Sequence, residues 1–148
     1  MTNIYSVSNY ILKKLGKMST IKLQKLCYYC QAWSLVWNEK PLFSEQFEAW
    51  ANGPVCKELY KLTEGEFEID SSVFDQNKKI KAISKTESKT IDAVLKKYGK
   101  KDGYYLMQLT HTERPWIEAR GNTEPGAASN KIISKGVMQD YYCGLCES

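Results

Sequence analysis

Residues 20–38 read TIKLQKLCYYCQAWSLVWN, and the environment this stretch requires decides the fold. Leu23, Cys30 and Trp37 fall seven apart, Leu26, Cys27, Trp33 and Ser34 lie on the same side of a helix, and Ile21, Tyr29, Ala32, Leu35 and Val36 broaden the apolar arc. A helix apolar over so much of its circumference must be enclosed by other elements. Gln24, Gln31 and Asn38, with Lys22 and Lys25 near the start, leave a narrow polar seam expected to face water. An amphipathic surface helix uses the same letters. A bilayer span needs about 20 uninterrupted apolar residues, which the seam denies. The expected architecture is therefore mainly α, a single-domain bundle around a buried central helix at about 20–38.

Outward from that helix, Val7–Leu15 reads as a helix capped by Ser6 or Ser8 and stopped by Gly16. Ser19 is placed to cap the central helix, and Asn38 with Pro41 marks its end. PLFSEQFEAW, residues 41–50, is expected to be a shorter helix, with Ser44 as cap and Phe43, Phe47 and Trp50 at helical spacing. Asn52, Gly53 and Pro54 then form a corner leading into a helix that carries Val55, Leu59, Tyr60 and Leu62. The alternation in EFEID and KIKAI fits one small β-hairpin at about 66–83, although the long connection SSVFDQNK fits an irregular loop as well.

Further on, Ser84 and Glu87 make a capping-box pattern ahead of Ile91, Val94, Leu95 and Tyr98. Asp102 and Thr112 are placed to cap two short helices, the second with Pro115 in its first turn. A glycine-rich loop, GNTEPGAAS, follows. Ser134 caps a last helix, with Ile133 and Met138 as a hydrophobic staple, and residues 143–148 are expected to be a loose tail.

A chain of 148 residues with 43% hydrophobic residues, ten tyrosines and four tryptophans has enough apolar material for one core without staples, so one domain over 1–148 is expected. The start, MTNIYSVSNY, has neither a basic flank and apolar run nor a cleavage pattern, and five cysteines suit reduced thiols; both point to the cytoplasm and away from the membrane. The formal charge of +4 is unevenly spread: residues 78–101 hold nine lysines against Glu87 and Asp92. That segment can attract nucleic acid or an acidic protein, or be a solvated helix face. With only Arg114 and Arg120 available for bidentate forks, sequence-specific base reading is disfavoured.

Cys27 and Cys30, and Cys143 and Cys146, form two C-x-x-C pairs whose spacing suits a four-thiolate zinc site. The first pair, however, lies inside the central helix, where cysteine packs as a small apolar residue, and the pairs are far apart in sequence, so ordinary packing is preferred. His111, the only histidine, has no spacing to any cysteine that suggests a catalytic dyad; interaction with helix-end carbonyls or Glu113 is the expected role. No phosphate loop, H-E-x-x-H, G-x-S-x-G or spaced aspartate cluster is present. No catalytic residue or cofactor is expected. Trp50 and Trp116 fit either buried packing or exposed binding anchors.

KLQKLCYYCQAW (Lys22–Trp33), PLF (Pro41–Phe43), EAWANGPV (Glu48–Val55) followed by Leu59 and Tyr60, and LTHTERPW (Leu109–Trp116) together resemble, in order and spacing, the Panacea domain family. This family includes SocA-like antitoxins and phage-associated GepA proteins. The resemblance covers about residues 5–142. It implies a mostly helical, non-enzymatic antitoxin that neutralises a toxin by direct contact, the toxin being encoded by an adjacent gene, with delivery to an AAA+ protease of the ClpXP type as a variant. Cysteines 27 and 30 stand where the family carries leucine and alanine, which favours packing over zinc. The resemblance transfers no catalytic residues. The candidate partner-binding residues are aromatic and corner positions, Trp50, Asn52, Gly53, Pro54, His111 and Trp116.

Overall fold

The computed structural model describes residues 1–147. Its long helix, α2 (Thr20–Trp37), follows α1 (Ile4–Leu15) and a two-residue strand β1 (Met18–Ser19). Next come strands β2 (Phe47–Trp50) and β3 (Gly53–Cys56), helix α3 (Lys57–Thr63), strand β4 (Glu68–Ile69) and a 3-10 turn at Ser71–Phe74. Helices α4 (Lys85–Tyr98), α5 (Gly103–His111), α6 (Arg114–Arg120) and α7 (Lys135–Glu147) complete the chain. The sheets among the described residues are two antiparallel pairs, β1–β4 and β2–β3. The fold is mainly α with a small hairpin.

The central helix is enclosed as expected. Every residue from Leu23 to Leu35 is buried, because α1, α4, α5, α7 and β3 all pack against α2. Ser19 caps it, its Oγ accepting from Lys22 N at 3.1 Å. One hydrophobic cluster runs from Ile4 and Ile11 through α2 to Ile91, Leu106, Met138 and Tyr142. Burial on this scale, at roughly 1.5–3 kcal/mol per large apolar side chain, supplies the main drive for folding.

The middle of the polar seam does not face water, although Lys22 and Asn38 at its ends are partly exposed. Gln24, Lys25 and Gln31 are 5%, 1% and 1% exposed. Each glutamine instead serves a strand-like segment as a second backbone would. Gln24 Nε2 donates to Cys56 O at 3.0 Å while its Oε1 accepts from Cys56 N at 2.8 Å. One helical heptad on, Gln31 Nε2 donates to Phe43 O at 2.8 Å and its Oε1 accepts from Leu42 N at 2.7 Å. Buried amides are tolerated because both ends are satisfied. Gln24→Ala leaves the Cys56 N–H unpaired and takes one donor from its C=O, and urea unfolding is expected to show a loss of about 2 kcal/mol, against nearly none for the exposed Gln108→Ala.

Residues 41–50 are not a helix. The i, i+4, i+7 spacing of Phe43, Phe47 and Trp50 imitates one, but Phe47 and Ala49 point inward while Glu48 and Trp50 are partly exposed, a period of two. Strands β2 and β3 pair from Phe47↔Cys56 to Trp50↔Gly53. The Asn52–Gly53 corner is thus a hairpin turn and not a helix–helix junction, and Val55 belongs to β3 rather than α3.

Nor is there a hairpin at 66–83. Glu68–Ile69 pairs instead with Met18–Ser19 ahead of the central helix, and Thr20 N donates to Phe67 O at 3.0 Å. The KIKAI segment runs unpaired beside α1, with Lys81 N donating to Ser6 Oγ at 2.9 Å and Asn3 Nδ2 to Lys79 O at 2.9 Å. Its alternation comes from lying on a helix rather than in a sheet.

The caps are mostly as read. Ser84 and Glu87 form a complete capping box, and Asp102 Oδ1 accepts from Tyr105 N at 2.7 Å. Two differ. Helix α1 begins earlier, capped by Asn3 Oδ1 on Ser6 N at 2.8 Å, because Ser6 Oγ is taken by Lys81 N and Ser8 Oγ lies 3.3 Å from Cys27 Sγ. Helix α6 has Glu113 at its cap position, while the Thr112 hydroxyl turns back to Leu109 O at 2.7 Å. Ser134 Oγ accepts from Val137 N at 3.2 Å, and Ile133 and Met138 are both buried. Helix α7 continues through the segment read as a tail as far as Glu147; Ser148 lies outside the described residues.

Candidate functional site

The hairpin turn is where the sequence blocks meet. Gly53 sits at φ +103°, a backbone state that L side chains rarely adopt, and a Cβ there would lie 2.6 Å from Lys25 Cε and 2.9 Å from Thr110 Oγ1. This close approach seats the turn on α2 and α5. Lys25 Nζ donates to Pro54 O at 3.1 Å. Burial pushes the Lys25 ammonium down to about 7.

Helices α5 and α6 secure the other side. The His111 ring is hydrogen-bonded to the Ala51 backbone and stacks on Trp116 with centroids 4.1 Å apart. Burial, then the charge of Lys25, holds its pKa below the ordinary histidine value. Its Nε2 is buried without a partner. Trp116 Nε1 donates to Trp50 O at 2.8 Å. Arg120, 5% exposed, spreads one guanidinium over three carbonyls: Ala49 O at 3.1 Å, Ala127 O at 2.9 Å and Glu124 O at 2.8 Å. The glycine-rich loop is thereby tied to β2. Beyond it, Ala49 N donates to Lys131 O and Ile133 N to Phe47 O, each at 2.8 Å, so the outer rim of β2 is occupied by protein groups.

The exposed part of this region is small. Asn52 is exposed, and Trp50 is half-buried, its ring edge-on to the partly exposed Tyr60 at 4.8 Å. Beside them opens a groove of about 630 Å³ bordered by Trp50, Asn52, Lys57, Ala128 and Asn130. Deeper in, Glu113 accepts from Tyr29 OH at 2.7 Å and Tyr142 OH at 2.8 Å. Burial raises its carboxyl pKa even though both phenols favour the charged form. The stacked pair Tyr29–Tyr98 and the Trp33 Nε1 bond to Tyr98 OH extend this aromatic network.

Of the candidate residues, Trp50, Gly53, Pro54, His111 and Trp116 are brought together, and Asn52 stands at the tip. The two cysteine pairs are not. Cys27 and Cys30 are buried in α2, where burial drives the Cys27 thiol up to about 12, whereas Cys143 and Cys146 are exposed on α7. Among the described residues no group of three or more His, Cys, Asp or Glu side chains is placed to hold a metal ion. Sequence reasoning passed over Gln24, Lys25 and Arg120 as site builders. The available signal was a polar side chain inside an otherwise apolar helix, which reads as a water-facing seam until the hairpin is known.

The arrangement defines a mainly helical domain in which K-L-Q-K-L, E-A-W-A-N-G-P-V and L-T-H-T-E-R-P-W build one rigid hairpin platform. The family model of the antitoxin SocA-like Panacea domain matches residues 23–117, and the chain belongs to that family. The match runs from inside α2 to α6 and leaves α1 and α7 outside it. Membership supports an antitoxin-type role. No curated protein and no solved structure matches the chain. Among the described residues no helix is long and apolar enough to cross a membrane.

Proposed function

We propose that this protein is the non-enzymatic antitoxin of a toxin–antitoxin pair and neutralises a toxin, encoded by an adjacent gene, by direct contact at the hairpin platform. One observation carries the reading: the blocks that mark the family converge on the hairpin turn and fix it through buried braces. Around it, Asn52, Trp50 and Tyr60 border or adjoin a groove of about 630 Å³. Rigid aromatic anchors beside a groove suit protein recognition, since little conformational entropy is lost on binding. Gly53, Pro54, His111 and Trp116 shape this surface from beneath. Delivery of the bound toxin to an AAA+ protease of the ClpXP type, in the cytoplasm, extends the same reading.

The test is growth rescue on co-expression with the neighbouring gene product. Asn52→Arg with Tyr60→Ala is expected to abolish rescue with the melting temperature nearly unchanged, because both side chains are exposed. A harmless neighbour, or full rescue by the double variant, would sink the reading. A second reading keeps one observation in its favour: all nine lysines of 78–101 are exposed, which suits binding or autoregulation on nucleic acid. It requires retention on duplex DNA that weakens steeply with salt. No retention at low salt removes it.

A further inference from the structure

One end of the molecule carries apolar side chains that the fold leaves uncovered. Phe67 is 75% exposed and Tyr104 69%, and Tyr105 and Leu15 are exposed as well. The first turn of α2 brings them together. Thr20 N donates to Phe67 O at 3.0 Å and Met18–Ser19 pairs with Glu68–Ile69, so Phe67 adjoins one side of that turn. On another side the start of α5 presses in so closely that a Cβ on Gly103 would lie 3.0 Å from Ser19 Oγ and 3.3 Å from Ile21 Cγ2, and Tyr104 follows directly. Leu15 reaches the α4–α5 junction, its Cδ1 3.3 Å from the place of a Cβ on Gly99, and Lys22 Nζ donates to Gly99 O at 2.6 Å. Isolated apolar residues are ordinary on a protein surface, whereas neighbouring large aromatic side chains mark a contact surface.

The charges around this patch are divided between its two sides. Phe67 is flanked by Glu64, Glu66 and Glu68, all exposed; Lys17 borders the same small groove as Glu66, Glu68 and Asp70, which leaves that side acidic. Tyr104 and Tyr105 follow Lys100 and Lys101, also exposed, with the Lys101 ammonium 4.8 Å from the centroid of the Tyr105 ring. The nearby Asp102 carboxylate is engaged in capping α5. Among the described residues Glu64, Glu66, Glu68, Lys100 and Lys101 take part in no ion pair. Such a surface is complementary to itself: a two-fold axis through the first turn of α2 sets each acidic side on a basic side and each Phe67 on a Tyr104.

We propose that this face pairs two copies of the chain in an isologous dimer, with Phe67 and Tyr104 at its centre and Glu66 and Glu68 of each copy facing the partner's Lys100 and Lys101. A partner of uniform charge would be repelled by one side or the other, so the divided rim selects a second copy over a polyanion. The face lies at the Gly103 end of α5, and His111, which bears on the hairpin, lies at the other end. The dimer therefore leaves the hairpin platform open, and the proposal is independent of the toxin-binding reading.

Sedimentation velocity and light scattering on the full chain, from about 5 to about 500 µM, are expected to show a monomer–dimer equilibrium with Kd below about 100 µM. Phe67→Ser with Tyr104→Ser is expected to weaken dimerisation at least tenfold with the melting temperature nearly unchanged, both side chains being exposed. Glu66→Lys with Glu68→Lys, and separately Lys100→Glu with Lys101→Glu, should each weaken self-association at least tenfold. Mixing those two variants should give a heterodimer within about threefold of the parent's affinity, because every opposed pair regains opposite signs. A chain that stays monomeric at about 500 µM would overturn the proposal. So would a dimer indifferent to the Phe67 and Tyr104 changes, charge variants that fail to recombine, or a monomer whose Phe67/Tyr104 variant loses toxin rescue, which would give the face to the toxin.

Discussion

Gly53→Ala is expected to lower the melting temperature by about 10 °C, corresponding to a loss of roughly 3–4 kcal/mol for a domain of this size. Two terms add. The backbone at φ +103° strains any L residue by about 1–2 kcal/mol. The new methyl would also lie 2.6 Å from Lys25 Cε and 2.9 Å from Thr110 Oγ1, and both residues are 1% exposed, so neither side chain can swing into solvent. Gly65→Ala separates the terms, because Gly65 has φ +86° with nothing within 4 Å of an added Cβ. Its cost is expected to be about 1 kcal/mol. Equal losses at the two positions would show that the turn is not seated on Lys25 and Thr110.

Lys25→Met is expected to change how stability depends on pH. The folded-state pKa of Lys25 is about 7, against about 10.4 in an unfolded chain. Between these values the unfolded state binds the additional proton, so this group makes the native protein more stable as pH rises. As pH falls from 10 to 7 that contribution is lost, and below 7 it changes no further. The stability difference between the parent and Lys25→Met should therefore grow by an amount of order 4 kcal/mol in favour of the parent from pH 7 to 10. Urea unfolding of both proteins at unit pH steps reads it directly. Buried tyrosines such as Tyr28 and Tyr142, with pKa values raised by burial, also act in alkali, but equally in both proteins. Parallel pH curves would mean that Lys25 reaches water.

Much of the scaffold is legible in the letters. Helix α2 announces itself because apolar residues surround it, and the Ser84–Glu87 box and Asp102 cap are local devices whose geometry depends on a few neighbouring residues. The misread elements depend on distant partners. Phe43, Phe47 and Trp50 satisfy helical spacing as well as they suit a strand, and only Gln31, contributed from α2, the partner strand β3, and Lys131, contributed from a later loop, decide against the helix. EFEID alternates truly, but its mate is Met18–Ser19, far upstream. The same holds for the site. Trp50, Gly53, His111 and Trp116 could be picked out by the family blocks, whereas the roles of Lys25 and Arg120 follow from carbonyls placed only when the hairpin folds.

The closed flank of β2 limits how another molecule can engage this face. With Lys131, Ile133, Arg120 and Trp116 already bonded to its main chain, no row of free amides is left for an incoming strand to extend. Any recognition there must run through outward side chains such as Asn52, so a change of side chain at the tip alters what the face can grip without touching the main-chain frame beneath.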